Sequence, residues 1–405
     1  MSAQTIDDAE LERLIDKELP SLKELRHDLH AHPQLGFEET YASAAVQEEL
    51  RKIGIPFQDG LGKTGVVGWI VPEGADRASG AIGLRADMDA LPILEETGLP
   101  YASQHEGKMH ACGHDGHTTV LVGAARVLAK LTDRLPHPVK LLFQPAEEGY
   151  GGAVNMIEEG ALDESTGGIG VSMLFGLHGD PRNEVGHFAT RPGAYLAATD
   201  AIEIKIAGRG GHAAMPHTTA DPIVAASQVV TALQSVVARN VDPIQSAVVT
   251  IGAIHGGDAF NVIPDEVTMA GTIRTFDTNT RDVVHGRVKE IVEQTAAGMG
   301  CTGELKLTGL HYPAVLNDAA AASYAIAVAR NTLGEANVDG DAPPIMGGED
   351  FSFYGAAVPG CFAFIGVRPP EQETYPGLHT SKFDFTDDAI RVGVKLMCGF
   401  ALGLK

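Results

Sequence analysis

The amino-terminal part of the chain alternates short apolar segments with helical patterns, and this alternation restricts the fold more than any other feature. Apolar runs at residues 66–71, 81–84, 139–143 and 171–177 are typical of short buried strands, and segments with the helical period of about 3.6 residues lie between the later runs. Strands that alternate with helices form a mostly parallel sheet that helices cover on both faces. We therefore predict an α/β fold with a doubly wound, mostly parallel sheet.

Polar side chains follow three of these predicted strands. Asp87 and Asp89 come after the second strand, Glu147 and Glu148 after the third, and His178 after the fourth. The carboxyl ends of parallel strands meet at one edge of a sheet, and α/β proteins bind their ligands at that edge. The pattern predicts that these side chains contribute to one site.

Residues 109–117 contain one thiol and three imidazoles. Cys112 and His114 are two residues apart, so an extended backbone would project both side chains to the same side. Gly113 and Gly116 allow the backbone to approach a ligand closely, and the apolar periodic run that follows predicts a loop leading into a helix. Cysteine and histidine both bind borderline-soft metals such as zinc. The stretch indicates a metal site, and the alternative is a buried free cysteine beside surface histidines.

The pattern changes at about residue 195. The segment up to residue 311 follows the order strand, helix, strand, strand, helix, strand, which is typical of a split βαβ (ferredoxin-like) domain. A helix pattern at 319–333 and an apolar strand at 361–367 then resume the first kind of pattern. We predict one larger domain formed by residues 1–194 and 312–405, with residues 195–311 inserted as a smaller domain.

One helix prediction depends on a single residue. Residues 9–31 have the apolar periodicity of a helix, and Pro20 predicts an interruption because proline cannot donate a backbone hydrogen bond. His27, His30 and His32 lie near the end of this segment. We interpret them as a hydrogen-bonded helix terminus rather than as a second metal site.

Charge and composition limit the classes of partner. Asp and Glu number 53 against 30 Lys and Arg, a formal net charge of −23, which argues against nucleic acid because phosphate binding needs clustered basic side chains. No apolar run approaches membrane-spanning length, and the amino terminus lacks the basic and apolar segments of a secretory signal. Four widely separated cysteines fit a reducing compartment better than a disulfide framework. We expect a cytoplasmic protein that binds neither nucleic acid nor membranes.

Five motifs, taken in order, resemble those of one known family. They are His-Ala-Cys-Gly-His-Asp-Gly-His at 110–117, Gln-Pro-Ala-Glu-Glu-Gly at 144–149, Gly-Leu-His at 176–178, Gly-Gly-His-Ala-Ala-Met-Pro-His at 210–217 and Gly-Gly-Glu-Asp-Phe at 347–351. The set is similar to that of the metal-dependent amidohydrolases, which include hippurate hydrolase, bacterial N-acyl-amino-acid amidohydrolases and plant auxin-conjugate hydrolases. These are relatives of the aminoacylases and the dinuclear zinc exopeptidases, and the resemblance covers nearly the whole chain.

The resemblance implies roles for particular residues. It implies that two divalent metal ions are bound by Cys112, His114, Glu148, His178 and His379. It also implies that Glu147 is the general base and that His212 of the inserted domain reaches the active site of a partner subunit. The inserted domain would then be a lid and dimerisation domain of a homodimer or larger homo-oligomer, and the substrate would be a small N-acyl amino acid.

The chain departs from the wider superfamily at the metal site. The exopeptidases have a metal-binding His-x-Asp after the equivalent strand and a bridging Asp later in the chain. Here the segment from Asp87 to Asp89 has no histidine, and Cys112 stands where the bridging carboxylate would be, as in the hippurate hydrolase subgroup. Thiolate and imidazole ligands accept zinc, manganese, cobalt or nickel, so the identity of the metal stays open.

Other residues are candidates for supporting roles. We expect Asp89 to orient a histidine ligand by a hydrogen bond. His212 is the candidate donor to the oxyanion of the tetrahedral intermediate, although the residues alone favour a histidine in a glycine-rich turn. Arg274 and Asn261 are candidates for binding the substrate carboxylate, and their alternatives are a surface ion pair and a turn. A further alternative is that Glu147 is a metal ligand as well.

The chemistry of these residues predicts amide hydrolysis. The reaction needs an activated water, a polarised carbonyl and a proton for the leaving nitrogen, which a divalent metal and Glu147 together can supply. We predict an enzyme that cleaves hippurate-like N-acyl or N-aroyl amino acids, and the alternatives are a biosynthetic N-acetyl-amino-acid deacetylase and a dipeptidase. A non-catalytic metal or amino-acid binder is disfavoured because Glu147 is present. A zinc-stabilised structural module is disfavoured because the ligands are spread from Cys112 to His379.

Overall fold

A computed structural model of the protein describes residues 7–404. Residues 1–6, which belong to the stretch examined for a secretory signal, lie outside the described residues. None of the helices in 7–404 combines the length and the apolar composition that crossing a membrane requires.

The helices and strands of this part of the chain follow one another in the predicted alternating order. The helices are α1 (Asp8–Ala31), α2 (Thr40–Lys52), α3 (His114–Lys130), α4 (Glu147–Tyr150), α5 (Gly152–Glu158), α6 (Pro222–Asn240), α7 (Thr278–Gly298), α8 (Ala319–Leu333), α9 (Phe351–Ala357) and α10 (Asp388–Leu402). The strands are β1 (Phe57–Leu61), β2 (Gly65–Ile70), β3 (Ala81–Asp87), β4 (Val139–Gln144), β5 (Val171–Glu184), β6 (Phe188–Ala189), β7 (Gly193–Leu196), β8 (Ala198–Ala207), β9 (Gly211–His212), β10 (Ala247–His255), β11 (Val262–Ile263), β12 (Glu266–Thr275), β13 (Thr302–Tyr312), β14 (Val315–Asn317), β15 (Val338–Asp339) and β16 (Gly360–Arg368).

The chain divides into two compact units. The first unit contains the residues up to Tyr195, Val315–Pro343 and the residues from Asp350 onward. The second unit contains Leu196–Ala314 together with the short segment Pro344–Glu349. Each unit has its own buried apolar core.

An eight-stranded sheet runs through the first unit in the order β1-β2-β4-β3-β5-β16-β6-β15. The central strands β4, β3, β5 and β16 pair in parallel, whereas β1, β2 and β4 pair with antiparallel neighbours at one edge. Every residue of β3 and β4 is buried, as expected for the inner strands of a sheet that helices cover. The predicted α/β fold with a large, mostly parallel sheet is confirmed.

Two local predictions for the first unit are wrong. Helix α1 continues through Pro20 without a break. Proline has no backbone N–H, so the carbonyl of Asp16, four residues earlier, lacks its usual helical hydrogen bond. Asp16 and Pro20 are both exposed, so water can donate to this carbonyl instead. Strand β5 was predicted to end before His178, but it continues to Glu184 because these residues pair with β16. His178 therefore lies within a strand rather than in a loop after it.

The second unit contains a four-stranded antiparallel sheet in the order β10-β12-β8-β13. Buried residues alternate with more exposed ones along β8, and the buried residues include Ile202, Ile204 and Ile206. The three isoleucines pack in one core with buried residues of α6 and α7 such as Val229 and Val288. The connection of strands and helices is that of a split βαβ domain.

Candidate metal centre and active site

Cys112 and His114 lie where the loop before α3 turns into the helix. Gly113 directly precedes the helix with φ of 85° and ψ of 16°, and His114 is the first helical residue. The predicted extended backbone is therefore wrong here, because a left-handed turn at Gly113 brings the two side chains together. A Cβ on Gly116 would lie 2.3 Å from the ring of Phe385, so glycine is required at that position as well.

The five predicted donor residues meet around this turn. The possible ligand atoms of Cys112, His114 and His178 all lie within 4.8 Å of one another, and so do those of Cys112, Glu148 and His379. The Sγ of Cys112 is 3.4 Å from Nε2 of His178, and Nε2 of His379 is 3.1 Å from Oε1 of Glu148. The side chain of His379 is 53% exposed, whereas the other four are buried or nearly so. Solvent therefore reaches the cluster from the side of His379.

Asp89 contacts both His114 and Glu148. The sequence predicted a contact of Asp89 with a histidine ligand and did not predict the contact with Glu148. One of its oxygens lies 3.1 Å from Nδ1 of His114, and the other accepts a hydrogen bond from the backbone N–H of Glu148 at 2.9 Å. Nε2 of His114 is buried and has no hydrogen-bond partner within residues 7–404. A buried ring nitrogen without a partner is unfavourable unless a ligand binds it, so this atom fits a metal ion.

The charges around the cluster favour a cation. Burial lowers the pKa of His114, but the carboxylates of Asp87 and Asp89 outweigh burial and raise this pKa to about 10. Burial and the neighbouring glutamates raise the pKa of the Cys112 thiol well above its usual value. Both groups must release a proton in order to bind a metal. The same carboxylates that retain these protons would stabilise a divalent cation in their place.

His178 already has the form that a metal ligand needs. Burial, together with the neighbouring ring of His117, keeps the pKa of His178 well below its usual value, so the imidazole is neutral. Its Nδ1 donates to the carbonyl oxygen of Gly179 at 2.9 Å, which leaves the lone pair of Nε2 facing Cys112.

His110 is not part of the cluster. Burial lowers its pKa to about 4, which would also keep its imidazole neutral, but His110 belongs to none of the donor groups formed by the described residues.

Glu147 and Glu148 begin the short, irregular helix α4, which follows a tight turn after β4. Ala146 has φ of 55° and ψ of 44°, a left-handed conformation that is uncommon outside glycine. Glu147 is buried, and its Oε1 accepts a hydrogen bond from the backbone N–H of Asp350 at 3.3 Å. Possible ligand atoms of His114, Glu147 and Glu148 also lie within 4.8 Å of one another. The geometry is therefore compatible with Glu147 as a base and with Glu147 as a further ligand.

Sequence reasoning missed two buried partners of Asp87. Nδ1 of His117 lies 2.6 Å from one oxygen of Asp87, and Arg85 donates to the other oxygen at 2.7 Å. Nε2 of His117 accepts a hydrogen bond from the N–H of Gly179 at 2.9 Å, which ties helix α3 to β5. A signal for this network was present in the sequence, because a charged residue such as Arg85 in an otherwise apolar strand needs a buried partner of opposite charge.

Comparison with known families gives a match over most of the chain. The model described as peptidase family M20/M25/M40 matches residues 83–403, which include all the donor loops above. The chain belongs to this family. The resemblance predicted from the sequence motifs is confirmed, and the protein is a hydrolase.

Individual relatives match most of the length of this M20 chain. An N-acetyl-L-cysteine deacetylase from Bacillus subtilis (strain 168) is 43% identical over 344 residues, which cover 85% of this chain and 79% of the relative. A hippurate hydrolase from Campylobacter jejuni is 40% identical over 366 residues, 90% of this chain and 91% of the relative. A crystal structure from Bacillus subtilis, described as a dinuclear metal binding peptidase from the M20 family, has a TM-score of 0.79 and 34% identity, and the match covers 96% of this chain and 98% of the other.

The other predicted residues of the M20 chain lie in the second unit. His212 in β9 pairs with Val262 in β11, and the carbonyl of Asn261 accepts a hydrogen bond from Ala213 at 3.1 Å. His212 and Asn261 therefore share one exposed ribbon, with Asn261 in the turn before β11. Nδ1 of His212 accepts a hydrogen bond from the N–H of Ala214 at 3.0 Å, so in the neutral ring Nε2 carries the proton and can donate it.

Arg274 is held differently from these two residues. It lies near the end of β12, half-buried, and donates through Nε to the hydroxyl of Thr272 at 3.0 Å and through Nη1 to that of Thr199 at 2.5 Å. The surface ion pair considered as an alternative does not form among the described residues. Both partners are uncharged hydroxyls, so no carboxylate directly contacts the guanidinium. A guanidinium in this state can bind an anionic group.

Proposed function

We propose that the protein hydrolyses the amide bond of N-acyl or N-aroyl amino acids and releases a carboxylic acid and an amino acid. The observation that carries this proposal is the group of sulfur, nitrogen and oxygen donors with Glu147 beside it. The donors are Cys112, His114, Glu148, His178 and His379. Structural zinc sites are closed and use four ligands, whereas this group is open to solvent on one side, as a catalytic site must be.

The five donors are proposed to hold two divalent metal ions. Zinc, manganese, cobalt and nickel all suit a mixed set of thiolate, imidazole and carboxylate ligands. When bound, such a metal lowers the pKa of a water ligand to about 7 and polarises the substrate carbonyl. The partnerless Nε2 of His114 is the feature of this chain that most favours occupancy.

Glu147 acts as the general base and then as the general acid. Its carboxylate takes a proton from the attacking water, and the same proton passes to the leaving nitrogen as the carbon–nitrogen bond breaks. Proton transfer of this kind contributes about 10²–10⁴-fold to the rate. The hydrogen bond from the N–H of Asp350 fixes the direction of the Glu147 carboxylate.

Asp89 positions two ligands at once. It holds the ring of His114 through Nδ1 and the backbone of Glu148 through its N–H. Partners of this kind keep metal ligands in the correct orientation and tautomer.

His212, Asn261 and Arg274 are proposed to contact the substrate. The Nε2–H of His212 donates to the oxyanion that forms on the substrate carbonyl, while Arg274 and Asn261 bind the carboxylate of the amino acid. His212 is exposed, which suits a group that reaches the site of a partner subunit. The working form is then a homodimer or a larger homo-oligomer.

A second candidate function is the deacetylation of N-acetyl amino acids. The 43% identity to an N-acetyl-L-cysteine deacetylase favours it. The two candidates share one mechanism and differ in the size of the acyl group that the site accepts. A dipeptide would be a third kind of substrate for the same residues.

One experiment tests the proposed function and separates these candidates. Metal content is measured on the purified protein, and hydrolysis is measured with hippurate, N-acetylglycine and glycylglycine, which share the leaving amino acid. We expect chelation to abolish turnover and added metal to restore it. A metal-loaded protein that cleaves none of these amides would contradict the proposal, and a preference for the acetyl donor would establish the second candidate instead.

A further inference from the structure

Glu39 is a buried carboxylate that is not part of the site described above. It directly precedes α2, and its side chain is 0% exposed. Oε1 accepts hydrogen bonds from the backbone N–H groups of Phe37 at 3.0 Å and Ala146 at 2.8 Å, and Oε2 accepts one from the hydroxyl of Thr64 at 2.6 Å. All three donors are uncharged. Burying a carboxylate among uncharged donors costs free energy of folding, so we asked what the three hydrogen bonds of Glu39 achieve.

The backbone around Glu39 is strained. Within residues 7–404, the non-glycine residues with positive φ are Phe37 (65°), Lys63 (76°), Ala146 (55°) and His379 (61°). Glu39 holds the N–H groups of Phe37 and Ala146, and it holds the hydroxyl of the residue that follows Lys63. Left-handed non-glycine residues persist only where their surroundings impose the conformation. One carboxylate therefore joins three of the four strained segments.

One of these segments leads directly to the proposed base. Ala146 is completely buried and immediately precedes Glu147. Its carbonyl accepts a hydrogen bond from the N–H of Gly152 at 2.9 Å, and a Cβ on Gly152 would lie 1.7 Å from the carbonyl oxygen of Pro145. Glu39 thus fixes the N–H of Ala146, and the close return of the chain at Gly152 fixes its carbonyl.

We propose that Glu39 is a positioning residue that holds the left-handed turn at Ala146 and thereby directs Glu147 and Glu148 toward the other donors. Without Glu39, the buried N–H of Ala146 loses its hydrogen-bond partner, and the turn relaxes toward an ordinary φ. A displacement of about 1 Å in a catalytic group can cost about 100-fold in rate. The inference rests on the proposed function because it assigns turnover to Glu147.

Two variants of Glu39 separate hydrogen-bond geometry from charge. In Glu39→Gln the side chain keeps its length, its oxygen can accept from both N–H groups, and its amide can donate to Thr64. In Glu39→Asp the charge is kept, but the side chain is one methylene shorter and does not reach Ala146. We expect kcat to fall by up to about 100-fold in Glu39→Asp with little change in KM, whereas Glu39→Gln retains most of its turnover. The opposite order would overturn the proposal.

The matched control is the neighbouring carboxylate Glu38. It is exposed and pairs with Lys108 at the surface. Glu38→Asp shortens a side chain in the same way as Glu39→Asp does. We expect it to change neither kcat nor the thermal midpoint, and a loss of turnover equal to that of Glu39→Asp would contradict a specific role for Glu39.

A stability cycle tests the contact without any substrate. Glycine adopts positive φ without steric cost, so Ala146→Gly makes the turn less dependent on Glu39. We expect Glu39→Asp to lower the thermal midpoint less in the Ala146→Gly background than in the unaltered protein, because residues in contact are non-additive. Additive shifts would overturn the proposal. If Glu39→Asp does not fold, recovery of folded protein in the double variant is the expected result, and its absence would count against the contact.

The two readouts distinguish the failure of one proposal from the failure of the other. If no amide substrate is cleaved, the proposed function fails, yet the stability cycle still reports whether Glu39 holds Ala146. If substrates are cleaved and the cycle is additive, only the role of Glu39 fails.

Discussion

Apart from the exposed His379, the residues assigned to the site in the first unit are buried or nearly so, whereas those in the second unit are exposed or half-buried. Cys112, His114 and His178 are buried, and neighbouring groups hold each of them. His212 and Asn261 lie on an exposed ribbon of the second unit. Metal ligands gain from a preorganised environment that excludes water, whereas a residue that contacts substrate must stay accessible until the substrate binds. Changes to the metal ligands of the first unit, or to the groups that hold them, should therefore affect metal binding or stability, and changes in the second unit should affect turnover alone.

The largest effect is expected for Glu147, the buried carboxylate of the first unit that we propose to transfer the proton. Glu147→Gln removes the base but preserves shape, so kcat should fall by about 10²–10⁴-fold while metal content is unchanged. Steady-state kinetics and elemental analysis measure the two quantities. Glu158→Gln, at an exposed position in α5, is the matched control. Loss of metal from Glu147→Gln would instead favour Glu147 as a ligand.

The next effect is on stability and depends on pH. Burial lowers the pKa of His30, but Asp115 and Glu95 outweigh burial and raise this pKa to about 10. Because the folded pKa lies above the value of about 6.5 for an unfolded histidine, the stabilisation is complete below pH about 6.5 and is lost as the pH rises through about 10. His30→Gln should lower the free energy of unfolding by about 3–5 kcal/mol at pH 6 and by less at pH 10.

Denaturant titrations at these two pH values test the role of His30. His217→Gln, at an exposed position of the second unit, should leave the free energy of unfolding unchanged at both. An equal loss for His30→Gln at pH 6 and pH 10 would show that its contacts are not electrostatic.

A loss of turnover without a loss of stability is expected in the second unit. His212→Ala should lower kcat by about 10²–10³-fold, because a preorganised oxyanion donor is removed, while the thermal midpoint stays the same. Mixing inactive His212→Ala with inactive Glu147→Gln subunits should restore activity in hybrid dimers if His212 acts on the partner's site. Absence of recovered activity after demonstrated subunit exchange would contradict that arrangement. A lowered thermal midpoint in His212→Ala would contradict the expectation that changes in the second unit affect turnover alone.

The smallest effect concerns the alignment of ligands. Asp89→Asn leaves one acceptor oxygen for two donors, the ring of His114 and the N–H of Glu148. Metal affinity should weaken by about 10–100-fold, as measured by competition with a chelator. Asp59→Asn, at an exposed position in β1, is the control. Unchanged affinity in Asp89→Asn would remove Asp89 from the metal site.

Local patterns predicted the helices and strands well, and tertiary contacts explain the exceptions. Residues 319–333 were predicted as a helix and form α8 with the same bounds. The end of β5 was missed because pairing with β16 extends the strand past His178. The predicted break at Pro20 failed because the freed carbonyl lies on an exposed face, where water can replace the lost donor. The sequence of a single segment does not show which strand it will pair with or which of its faces will be exposed to solvent.

The sequence by itself determined the fold class and the chemistry available to the site. Alternating strand and helix patterns indicate a parallel sheet, and the types of residue at Cys112, His114 and the paired glutamates indicate metal ligands and a base. Only the tertiary structure decided that donors from Cys112 to His379 meet, that Gly113 turns rather than extends, and that Glu39 holds the residue before Glu147. Periodicity along the chain reports which face is buried, whereas contacts, proton positions and backbone strain depend on residues that are distant in sequence and close in space.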